Sequence, residues 1–98
     1  MQDAHIYQQN NLKLSYIFAR FKDFTFASNL LADYVKKDNA NEQLLFAYIS
    51  YCAQVLELFK SHLFVIALQK SEKINHDRYV KQFGELFLPF KSFDNPFV

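Results

Sequence analysis

One glycine and two prolines punctuate this chain, and all three, Gly84, Pro89 and Pro96, come after residue 83. β-Hairpins turn on glycine for positive φ and on proline for fixed φ, so the first 83 residues have almost no means of folding strands back on one another. The chain is therefore expected to be all-α. Its 98 residues suit one core and are too few for two, which makes residues 1–98 a single helical domain. Twelve Phe and six Tyr supply the large side chains that so short a chain needs for an adequate core.

The strongest periodicity follows the polar stretch Lys36 to Asn41, where Asn39 or Asn41 is suited to cap a helix. From there Leu45, Ile49, Cys52, Leu56, Phe59, Leu63 and Ile66 recur at alternating steps of four and three. A second row, Leu44, Tyr48, Tyr51, Val55, Leu58, His62 and Val65, widens the apolar face. The spacing predicts one long central helix over residues 42–70, with Glu57 and Lys60 paired on its outer side. Such a rod would be about 43 Å long, longer than a compact globule of this size, so either the bundle is elongated or a second copy covers part of it.

Upstream, Leu14, Ile17, Phe21, Phe24, Leu31 and Val35 keep a helical rhythm, with Ser28 in one apolar place. Asp23 and Thr25 are capable caps, and the reading favours two helices broken near residues 22–25. Downstream, residues 71–77 read as a connection in which Asn75 or Asp77 caps a shorter helix. That helix runs to about Leu88 before Pro89, with Tyr79 or Val80, Phe83, Leu86 and Phe87 facing inward and Gly84 permitting a close helix contact. Residues 89–98 form an irregular aromatic tail. The architecture expected is an antiparallel bundle of three to four helices built on the long central one.

Eleven basic and ten acidic side chains, interspersed, give none of the concentrated positive charge that nucleic acid requires. The N-terminal stretch lacks the basic start and apolar run of a secretory signal, and the lone Cys52 has no internal disulfide partner, so a reducing, cytoplasmic setting is expected. Residues 44–68 are long enough to cross a bilayer, but Gln54, Glu57, Lys60, Ser61 and His62 near the middle make a span too costly.

No catalytic constellation stands out. His62 lies on an apolar row without a second ligand on the next turn, where a rim histidine is the simpler reading. Glu72 and His76 have i, i+4 spacing but fall in the expected connection, and Cys52 sits in a seam that favours packing over nucleophilic chemistry. A single glycine excludes phosphate-cradling loops. No metal and no cofactor is expected.

The stretch Ala53 to Lys60 resembles the corresponding helix of the dimeric HEPN ribonucleases, helical bundles that present an Arg and a His a few residues apart. Neither Arg20 nor Arg78 is followed by His at that spacing, and Lys70 with His76 offers only a lysine substitute. The resemblance implies an alternative function as a HEPN-like nuclease or its degenerate partner, with Arg20, Arg78, His62 and His76 as its polar groups. A further alternative is a bundle that takes an apolar small ligand between its helices.

The aromatic excess points elsewhere. Phe90, Phe93 and Phe97 lie beyond the last helix, where they either cover an open end of the bundle or dock on a partner. With Tyr48, Tyr51 and His62 they are the expected partner-binding residues. The leading expectation is a non-enzymatic interaction protein, a small cytoplasmic regulator or inhibitor of bacterial or phage type, homodimeric and bound to another protein.

Overall fold

A computed structural model of the chain describes residues 3–84. Among them all regular structure is helical: α1 (Asp3–Arg20), α2 (Phe24–Lys36), α3 (Glu42–Ala53), α4 (His62–Ile74) and α5 (His76–Phe83). Consecutive helices pack on one another, and α2 and α3 also touch α4 and α1 respectively.

Each boundary has a local cause. Lys22 takes a left-handed conformation, φ 64°, and the Asp23 carboxylate then accepts the Phe26 amide at 3.2 Å to start α2. Of the two asparagines suited to open α3, Asn41 does so, its side-chain oxygen accepting the Leu44 amide at 2.8 Å. Asn75 closes α4 and opens α5, where it accepts the Arg78 amide at 2.9 Å. Gly84 ends α5 at φ 63°, and among the described residues a Cβ built on it would meet nothing within 4 Å. Its freedom serves the backbone at a helix end, not the close helix contact expected.

The long central helix is absent. α3 stops at Ala53, residues 54–61 run through turns, and α4 begins at His62. Lys60 is left-handed at φ 72°, and Ser61 then caps α4, its hydroxyl accepting the Phe64 amide at 3.2 Å. Up to Cys52 both apolar rows are buried in the core; beyond it Leu58, Phe59, Leu63 and Ile66 are only partly buried against it. Leu56, expected in the seam, is 88% exposed, and in α4 the buried positions are Phe64, Ala67, Leu68 and Ser71, one residue out of phase with the extrapolated seam. Glu57 and Lys60 lie in the turns. The connection expected over residues 71–77 shrinks to Asn75, because α4 continues to Ile74.

The buried apolar set is Leu12, Ala27, Leu31, Val35, Leu44, Leu45, Tyr48, Ile49, Tyr51, Cys52, Phe64, Ala67, Leu68 and Tyr79. α2, α3 and α4 supply most of it, and α1 supplies a single aliphatic residue, Leu12. Aromatic contacts join the elements around this core: Phe18 with Phe26 at 4.4 Å, Phe24 with Tyr51 at 6.2 Å, and Phe46 with Phe83 edge-on at 5.3 Å.

Candidate functional site

α1 is seated on the core by polar groups. The Gln8 carboxamide is buried, donating to the Asn39 carbonyl at 3.1 Å and accepting the Asn41 amide at 2.9 Å, so it fixes the chain just ahead of α3. Asn11 donates to the Leu30 carbonyl at 2.9 Å. Ser15, fully buried, gives its one proton to the Leu12 carbonyl at 2.7 Å; the Tyr51 hydroxyl, 2.9 Å away, is therefore the donor in their contact. Each of these three α1 side chains has a hydrogen-bond partner, which is what makes such a face tolerable.

The opposite face is apolar. Tyr7 is 60% exposed, Leu14 41% and Ile17 50%, Ile6 lies beside them, and Phe21, in the turn just past the helix, is 77% exposed. Phe26 of α2, 44% exposed and stacked near Phe18, continues the surface across to the next helix. An amphipathic helix in a self-sufficient fold turns its apolar stripe inward, whereas this one keeps a second apolar stripe outside in addition to Leu12, Phe18 and Ala19 on its inner side. Leu14, Ile17 and Phe21, expected in the core from their rhythm, belong to the outer stripe. The rhythm itself is correct; which neighbour it addresses is not contained in it.

The expected partner-binding residues fare differently. Tyr48 and Tyr51 are buried in the core, where this chain already covers them. His62 is exposed at the first position of α4. Phe90, Phe93 and Phe97 lie outside the described residues, as do Leu86, Phe87 and the rest of the aromatic tail. Sequence reading missed the α1 stripe as a surface; the signal available was the alternation of Gln8, Asn11 and Ser15 with Tyr7, Leu14 and Ile17 on one helix.

Titrating groups in the core are held neutral. Burial pushes the Cys52 thiol up to about 12, against a partial opposing effect of the Tyr48 hydroxyl beside it. Burial also raises the Tyr48 and Tyr51 phenols, and it takes Tyr79 to about 12 with help from the Glu72 charge. A thiol so far from its thiolate is a packing group, not a nucleophile.

The polar groups of the nuclease alternative are dispersed. Lys70 donates to the Val35 carbonyl at 2.6 Å and the Lys37 carbonyl at 2.9 Å, and it pairs with Asp38 at 3.3 Å, so it closes the C-terminal end of α2. His76 meets Glu72 at 2.9 Å, and Arg78 donates to Glu42 at 3.0 Å. His76 and Arg78 stand two residues apart on α5, a spacing that points side chains to different faces. Ala53 to Lys60, the stretch that resembles the HEPN helix, is turn beyond its first residue. A cleft of about 390 Å³ lies beside Lys70, lined by Lys37, Asp38 and Lys73 as well as by Ala40, Leu45 and Ile74.

Among the described residues no group of three or more His, Cys, Asp or Glu could hold a metal ion, and no helix is long and apolar enough to cross a membrane. No protein-family model, curated protein or solved structure matches the chain.

Proposed function

We propose that this chain is a non-enzymatic protein–protein interaction module, a small cytoplasmic regulator or inhibitor that works by helix pairing on the outer face of α1. In this reading residues 1–98 form one antiparallel bundle, and α1 is the element it offers to other proteins. The observation that supports it is that α1 is apolar on both sides: Leu12, Phe18 and Ala19 with hydrogen-bonded Gln8, Asn11 and Ser15 toward the core, and Tyr7, Leu14 and Ile17, with Phe21 just past its end, toward solvent. Those inner groups anchor the helix without drawing on its outer apolar side, which leaves that side for a partner.

The test uses Ile17→Glu, a change at a half-exposed position that leaves the core intact. Affinity capture from the native host, with the wild-type chain and the variant as parallel baits, should retain a defined protein on the wild type and lose it on the variant. Circular dichroism should be the same for both. Identical captured sets on the two baits would refute the reading.

A further inference from the structure

We infer that residues 54–61 are a hinge through which two copies of this chain exchange α4 and α5, each copy's pair packing on α1, α2 and α3 of the other. The inference goes beyond the reading of α1 and uses none of its residues. Three observations carry it.

The first is the state of the hinge. It contains neither glycine nor proline, yet the chain reverses there, with Lys60 left-handed at φ 72° and Leu56 88% exposed. A lysine holds that conformation only at a cost, and the closed fold is what imposes it. One helical bond already runs through the turns, the Phe59 amide donating to the Val55 carbonyl at 2.9 Å. A short hinge under strain, built from residues that all tolerate helix, invites the straightened form.

The second is the sequence across it. Cys52, Leu56, Phe59 and Leu63 keep the alternating steps of four and three of a packed stripe straight through the reversal. In the folded chain that stripe is broken, because Leu56 faces solvent while Phe59 and Leu63 pack against the core. A continuous helix restores it. Two such helices, crossing at the two-fold axis of an exchanged pair, cover Leu56 with each other.

The third is that the seat for the second copy is already built. Lys70 of α4 donates to the Val35 and Lys37 carbonyls at 2.6 and 2.9 Å. Arg78 of α5 donates to Glu42 of α3 at 3.0 Å, and Phe83 meets Phe46 edge-on at 5.3 Å. Each contact joins a residue before the hinge to one after it. Exchange remakes all of them between copies, so it needs no surface that the chain does not already present. The closed and exchanged forms then differ only at the hinge and the crossing, and concentration sets the balance.

Refolding from urea at low and high protein concentration, followed by size-exclusion chromatography with light scattering, tests the exchange. The wild type should give monomer from the dilute sample and dimer from the concentrated one. Lys60→Gly relieves the closed form and disfavours the straight helix; with two hinges in each pair, it should lower the dimerisation constant about tenfold. Leu56→Glu, a change at a solvent-facing position of the monomer, should lower it too. Glu42→Arg and Arg78→Glu chains refolded together should form more heterodimer than random mixing gives, because exchange alone restores both ion pairs. A wild type that stays monomeric at high concentration overturns the inference, as does a dimer unmoved by Lys60→Gly. A random mixture of dimers, or a dimer that Ile17→Glu abolishes and Lys60→Gly leaves intact, assigns the contact to another face and overturns it as well.

Discussion

At the scale of single residues, the core is built to keep protons on its titratable groups. The Cys52 thiol ordinarily titrates at 9.0 and the Tyr79 phenol at 10.0, and burial carries both to about 12 in the folded chain. Below pH 9 both groups are protonated, folded or unfolded, so they add no pH dependence. Between pH 9 and about pH 12 the unfolded chain releases protons that the folded chain retains, which favours unfolding as pH rises. Stability should therefore fall as pH rises, from about pH 9 through Cys52 and from about pH 10 through Tyr79, by about 1 kcal/mol per pH unit for each group, read as a declining urea midpoint. Cys52→Ala should make the decline shallower. A midpoint level across the window would show that these side chains are wet.

Among helices and turns, the decisive feature is the interruption between α3 and α4. Nothing in the local composition of residues 54–61 forbids helix, and glycine and proline are both absent there. The interruption is decided by neighbours. One straight rod would present two apolar rows to a chain with too few other helices to cover them, whereas a reversal lets α4 pack back on α3 and brings Leu58 and Phe59 against the core. Exposure of Leu56 and the left-handed turn at Lys60 are the local costs. Ser61→Ala gives a test whose sign discriminates. In the interrupted fold it removes the bond to the Phe64 amide and should destabilise by about 1 kcal/mol in urea unfolding, with Ser61→Asp retaining stability. In a continuous helix the same change would stabilise slightly, since alanine is the better interior residue.

For the molecule as a whole, the radius of gyration is 13.2 Å and the extents are 42 × 30 × 22 Å. The first value is slightly above the 12.5 Å or so expected for a compact chain of this length, and the elongation arises from the stacking of short helices, not from one rod. Among the described residues most of the exposed large apolar side chains lie on α1 or just past its end, with Phe26, Leu56 and Ile74 exposed elsewhere. If copies exchange α4 and α5, folding and association are linked, and the thermal midpoint should rise with protein concentration. Lys60→Gly should weaken that dependence without lowering the low-concentration midpoint. A midpoint independent of concentration in both chains would show that copies do not exchange helices in solution.

The sequence by itself determined helix type and most helix starts. Without glycine and proline there is little to build hairpins from, and Asp23, Asn41, Ser61 and Asn75 cap through bonds that span three residues. Ser61 was equally legible by that rule, but the unbroken apolar spacing around it masked the signal. What only tertiary structure decided is the partner of each apolar stripe: Leu45, Ile49 and Cys52 turn inward, Leu14, Ile17 and Phe21 outward, although their spacing is the same. A helix's period states that one side wants cover. Which side the rest of the chain covers depends on hydrogen bonds made at long range, here those of Gln8, Asn11 and Ser15, and no local pattern encodes them.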